Sequence, residues 1–150
     1  MRSSNEVRRL THLIGETDAA YHEAATKLGL SDSAMQILYT LFDCGGSCPL
    51  REVCLMTGLS KQTLHSAVHK LAREGMLVVE AEGAKNKRLR FTGAGERLAA
   101  CTVEQVIAAE NRILAGWKPE EVEQYLTLTQ RYLEEFRAEM RKVESPLAAR

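Results

Sequence analysis

Three glycine stops divide residues 31–75 into three short amphipathic segments, and the hydrophobic period changes directly after the last stop. Ser31 reads as a helix N-cap with Asp32 in the first turn, and Met35, Ile37, Leu38, Leu41 and Phe42 keep a helical spacing up to Gly45-Gly46. Leu50 to Thr57 makes a second, shorter helix that ends at Gly58. Ser60 caps a third, which runs to about Glu74 and ends at Gly75. Met76-Leu77-Val78-Val79 then reads as a strand and Leu89-Arg90-Phe91 as its partner, with the polar stretch from Glu82 to Arg88 between them. This order predicts a mainly α fold carrying one small β-hairpin with a basic tip.

The flanks are helical. A first helix is expected from about Asn5 to Leu28, on the spacing of Val7, Leu10, Leu13 and Ile14 with Ala20, Ala24 and Ala25. A long helix is expected to begin after Thr92 and run to about Ala115, stopping at Gly116. A last helix starts at Pro119, with Glu120 and Glu121 in its first turn. Its apolar residues Val122, Tyr125, Leu126, Tyr132, Leu133, Phe136, Met140 and Val143 lie close to a heptad seam, which predicts a partner helix. The tail after Pro146 reads as loose. Hydrophobic residues at 45% and charged residues at 27% are ordinary for a soluble chain, no apolar run suits a membrane span, and the start is polar, so a cytoplasmic protein of one domain, 1–150, is expected.

A formal net charge of zero taken alone argues against nucleic acid, but the charge is segregated. From Lys61 to Arg97 eight basic residues face four acidic ones, whereas from Glu120 to Glu144 seven acidic residues face four basic ones. The segments joined through Gly58-Leu59-Ser60 have the spacing of a helix-turn-helix. On the second of them Leu64, Val68 and Leu71 share one side. Gln62, Ser66, His69 and Arg73 share the other, with Thr63, His65 and Lys70 at the shoulders, and Ser60 and Lys61 open the helix. Gln can bond adenine in bidentate fashion and Arg can bond guanine, while Ser and Thr suit bases or phosphates. A plain amphipathic surface helix would mix both charge signs, and this face has no carboxylate before Glu74. The hairpin adds Lys85, Lys87 and Arg88, cations that a narrow ribbon can press against phosphates or into a minor groove.

These segments resemble the MarR family of winged-helix transcriptional regulators. The similarity runs through Leu30-Ser31-Asp32-Ser33-Ala34-Met35-Gln36-Ile37-Leu38, Leu50 to Thr57, Gly58-Leu59-Ser60-Lys61-Gln62-Thr63-Leu64, Leu71-Ala72-Arg73-Glu74-Gly75-Met76-Leu77 and Phe91-Thr92-Gly93-Ala94-Gly95. The resemblance implies a winged helix-turn-helix core at 31–95 and dimerisation helices at 1–29 and 96–145. It also implies a homodimer on a palindromic double-stranded DNA site, acting as a repressor released by a small-molecule effector. The family's wing carries an aspartate, one residue, then an arginine; Arg88 stands for the arginine and Asn86 for the aspartate, which implies a wing less tightly preorganised.

Cys44 and Cys48, separated by Gly45-Gly46-Ser47, admit a redox switch, a metal site with Cys54, or ordinary buried thiols. His65 and His69 are four apart on one helix, a metal-pair spacing, but on a recognition helix they read first as DNA or solvent contacts. His12 and His22 lie near where the resemblance places an effector pocket, or serve as interface polar residues. No nucleophile elbow, phosphate loop or metalloprotease pattern is present, so neither an enzyme nor a cofactor is expected. The competing reading is a winged helix used as a protein-interaction module without specific DNA binding.

Overall fold

The computed structural model describes residues 1–146. The element order is α1 (Asn5–Lys27), α2 (Asp32–Asp43), β1 (Ser47–Pro49), α3 (Leu50–Thr57), α4 (Lys61–Arg73), β2 (Leu77–Glu82), β3 (Asn86–Phe91), α5 (Gly93–Cys101), α6 (Val103–Ala115) and α7 (Pro119–Met140). The expected loose tail after Pro146 lies outside the described residues.

The chain forms two compact units, Met1–Ala108 and Ala109–Arg150, with the boundary inside α6. In the first unit the two N-caps read from sequence, Ser31 and Ser60, are made, and Thr92 makes a third. Ser31 Oγ accepts from Ala34 N at 3.2 Å, Ser60 Oγ from Thr63 N at 3.2 Å, and Thr92 Oγ1 from Gly95 N at 3.1 Å. Each satisfies a backbone donor that a helix start would otherwise leave open. The core gathers Ile37, Leu38 and Leu41 of α2, Val53 of α3, Leu64, Val68 and Leu71 of α4, Leu77, Leu89 and Phe91 of the sheet, and Ala99 and Val103. Packing of α4 on α2 and on β2 thus fixes which side of α4 turns outward.

Three expectations need correction. The hairpin has a third strand: β1 pairs antiparallel with β3, Cys48 opposite Leu89, so the sheet order is β1-β3-β2 and β3 is central. The strands are also longer than the expected Met76–Val79 and Leu89–Phe91. Glu82 pairs with Asn86, and the turn shrinks to Gly83, Ala84 and Lys85. Last, the long helix expected after Thr92 is broken at Thr102, at φ −125° and ψ −85°. There Thr102 Oγ1 donates to Leu98 O and Thr102 N donates to Ala99 O, so the hydroxyl takes the carbonyl that Thr102's own N–H would bond in a continuing helix.

One close approach ties α5 to the sheet. A Cβ on Gly95 would lie 1.8 Å from the Met76 carbonyl oxygen, so only a glycine lets α5 seat here.

The second unit contains the end of α6 and α7. Lys118 N donates to Glu121 Oε2 at 2.9 Å at the start of α7, and Trp117 meets Tyr125 edge to face with centroids 5.4 Å apart. No residue of α7 is buried. Among the described residues no helix is long and apolar enough to cross a membrane.

Candidate nucleic-acid interface

The helix-turn-helix is built by α3, the Gly58 turn and α4. Gly58 closes α3 at φ 66°, a left-handed conformation that suits glycine, and its N–H reaches Cys54 O at 3.2 Å. Thr57 Oγ1 donates to Val53 O at 2.7 Å and accepts from Leu59 N at 3.3 Å, which fixes the path of the turn. Leu64, Val68 and Leu71 are buried, so Gln62, Ser66, His69 and Arg73 stand exposed on the opposite side, as expected, and Lys70 is exposed at the shoulder.

Ser60 and Thr63 are less free than the sequence suggests. Ser60 Oγ is the N-cap and also donates to Thr63 Oγ1 at 2.9 Å. Both residues are nonetheless exposed at the helix start. The first turn of α4 holds Lys61 and no acidic residue, whereas a helix arranged for its own stability would put acids there. The positive end of the helix dipole is left uncompensated beside a lysine, which favours a phosphate. A cleft of about 490 Å³ runs beside this face, lined by Ser31, Ser33, Gln62, Ser66, Lys70 and Glu74 among others.

The wing differs from its sequence reading. Of Lys85, Lys87 and Arg88, only Lys85 lies in the turn; Asn86, Lys87 and Arg88 belong to β3. Asn86, Lys87 and Lys85 are exposed. Arg88 sits on the central strand, and its guanidinium bonds both neighbours. Nε and Nη2 donate to Glu82 Oε1 at 3.4 and 3.2 Å, and Nη1 donates to Ser47 Oγ at 3.2 Å. The arginine is therefore held by Glu82 of β2 and by β1. The carboxylate expected from the family pattern at position 86 is supplied from across the ladder, since Glu82 is the register partner of Asn86. Arg90, two residues further along β3, is bonded to Glu80, and that hydrogen bond holds the Glu80 carboxyl below the usual range.

The remaining candidates separate. His65 and His69 are both exposed, and among the described residues no group of three or more His, Cys, Asp or Glu could hold a metal ion. His12 pairs with Glu16 at 3.4 Å, and His22 Nδ1 lies 2.9 Å from Asp32 Oδ1. Cys44 and Cys48 are brought together, with Sγ atoms 3.3 Å apart, while Cys54 Sγ donates to Leu59 O at 3.9 Å.

Residues 28–88 match the model of the MarR family. A comparison with curated protein sequences gave no match. Among solved structures, the MarR family regulator NMB1585 from Neisseria meningitidis is similar over 93% of this chain and 98% of its own, with TM-score 0.77 and 19% identity. The PcaV transcriptional regulator from Streptomyces coelicolor, solved with its natural ligand, is similar over 89% and 98%, with TM-score 0.64 and 20% identity. Bordetella bronchiseptica BpsR, whose DNA binding is regulated by 6-hydroxynicotinic acid, is similar over 83% and 98%, with TM-score 0.60 and 19% identity. These likenesses give the same fold for nearly the whole chain. The segment matched by the family model holds α2, α3, α4 and the ribbon as far as Arg88, so over these residues the chain is similar to the MarR family, and it shares the winged-helix fold of the solved structures.

Proposed function

We propose that the chain is a ligand-responsive repressor that binds a palindromic DNA site as a homodimer. The observation that carries this is the exposed face of α4: Gln62, Ser66, His69, Lys70 and Arg73, with no carboxylate before Glu74, beside a ribbon bearing Lys85 and Lys87. Such a face offers bidentate base readers flanked by phosphate contacts, whereas a protein-contact face concentrates apolar anchors. Ser60, Lys61 and Thr63 supply phosphate contacts at the helix start, and Asn86 with Arg88 completes the wing. Residues 31–95 form the DNA-binding core, and 1–29 and 96–145 contribute the dimer helices. Ligand response is supported by the likeness to PcaV and BpsR, each associated with a small molecule.

A second reading has its own observation. Leu55 and Met56 on α3 are 77% and 56% exposed, apolar anchors that suit a protein partner. One titration separates the two. Duplex from upstream of the protein's own gene is followed by fluorescence anisotropy at two salt concentrations with random duplex as competitor. Tight, competitor-resistant binding of one dimer per site is expected. Weak binding, equal on both duplexes and abolished by modest salt, would instead leave α3 as the functional surface.

A further inference from the structure

Cys44, Cys48 and Glu52 form a cluster that the DNA-binding reading does not use. Cys44 caps the C-terminus of α2 and is half-buried; Cys48 is the middle residue of β1 and has no exposed surface. Across the Gly45-Gly46 turn the Cys44 thiol donates to Cys48 Sγ at 3.3 Å, and the Cys48 thiol points to Glu52 Oε2 at 3.8 Å. Bonded sulfurs stand about 2.05 Å apart, so a closure of roughly 1.3 Å separates this pair from a disulfide. That closure acts on β1, the strand paired with β3 through Cys48–Leu89 and Ser47–Arg90. Ser47, next to Cys48, is also the hydroxyl that holds Arg88.

We propose that Cys44 and Cys48 are an intrachain thiol–disulfide switch, oxidised by hydroperoxides, whose closure shifts β1 at the base of the wing and weakens DNA binding. It rests on the DNA-binding reading for its output, though not for the bond itself. Cys44, the thiol that reaches solvent, attacks the distal hydroperoxide oxygen as its thiolate. The O–O bond breaks, the alkoxide takes up the proton that the Cys44 thiol released and leaves as an alcohol (water, from hydrogen peroxide), and Cys44 becomes a sulfenic acid. Cys48 then attacks the Cys44 sulfur: the S–S bond forms, the S–O bond breaks, and the departing hydroxide takes up the Cys48 proton as water, relayed by the Glu52 carboxylate. Two thiols are oxidised by two electrons and one hydroperoxide is reduced. Burial, with the Cys44 and Glu52 neighbours, pushes the Cys48 thiol up to about 12, so Cys48 stays protonated until Cys44 has reacted. This order makes Cys44 the sensing sulfur and Cys48 the resolving one.

The test uses the reduced full-length protein, treated with hydrogen peroxide, then mapped by differential alkylation and mass spectrometry and titrated onto the upstream duplex. A Cys44–Cys48 bond is expected, with mass lower by about 2 Da. DNA affinity should fall about tenfold and return with dithiothreitol. Cys44→Ser should abolish both effects, and Cys48→Ala should do the same if it folds, while Cys54→Ser keeps them. Oxidation confined to the exposed Cys101, or an intrachain bond that leaves DNA affinity unchanged, overturns the proposal. A reduced protein that binds no duplex defeats the DNA reading alone. In that case the mapped bond, together with altered amide exchange in β1 and β3, still decides the switch.

Discussion

Arg88 shows how one side chain can order a wing. Its guanidinium spans three strands, bonding Glu82 on one side and Ser47 on the other. The ion pair with Glu82 is partly exposed and weak, worth about 1 kcal/mol or less, but its two-sided fork sets the angle of the ribbon. Arg88→Lys keeps the charge and loses the fork. Roughly fivefold weaker DNA binding with an unchanged salt slope is therefore expected. Lys85→Ala should instead lower the slope by about 1, because a phosphate contact releases a counterion whatever the sequence. Equal slopes for Lys85→Ala and the parent would remove Lys85 from the interface. Gly95 makes a different kind of residue-scale claim. A methyl group there meets the Met76 carbonyl at 1.8 Å, so Gly95→Ala should cost about 3 kcal/mol in urea unfolding, far above an ordinary surface change.

At the scale of elements, α4 carries the proposed specificity. Its apolar side is consumed by α2 and the sheet, so the positions of Gln62, Ser66 and Arg73 follow from burying Leu64, Val68 and Leu71. Gln62→Ala should relax base preference at a single operator position by roughly 1–3 kcal/mol in a set of single-base variant duplexes; an equal loss on every duplex would make Gln62 a backbone contact. This much was legible in sequence, because caps and glycine stops are local signals: α3 begins and ends at the residues its pattern names. Other features lay beyond reach for stated reasons. β1 is only three residues long and ends in a proline, so it has no period to detect and exists by pairing with β3. The break at Thr102 interrupts a helix whose apolar spacing runs on through Val103 and Val106. The tether on Arg88 required the β2–β3 register, which two strand fragments do not determine.

At the scale of the whole molecule, the unusual quantity is the apolar surface left uncovered. α1 spans 23 residues and buries only Ala25, while Val7, Leu13 and Ile14 remain 50%, 50% and 48% exposed. α7 spans 22 residues and buries none, with Tyr132, Leu133 and Phe136 at 49%, 45% and 48%. Long helices with exposed apolar stripes are unstable as solitary surfaces, and the natural cover is the same stripe on a second copy, related by a two-fold axis. A two-fold also places two recognition helices on successive turns of DNA, which a palindromic site requires. Sedimentation at micromolar concentration should therefore show a dimer. Leu133→Glu with Phe136→Glu should give a folded monomer, because both side chains are already half in water within one chain and their loss costs the protomer little. The same variant should bind a single half-site as the parent protomer does, yet lose the added affinity for the full palindrome, since that gain comes from linking two contacts in one particle. A parent chain that sediments as a monomer would remove the two-fold. The stripes on α1 and α7 would then need a cover other than a second copy.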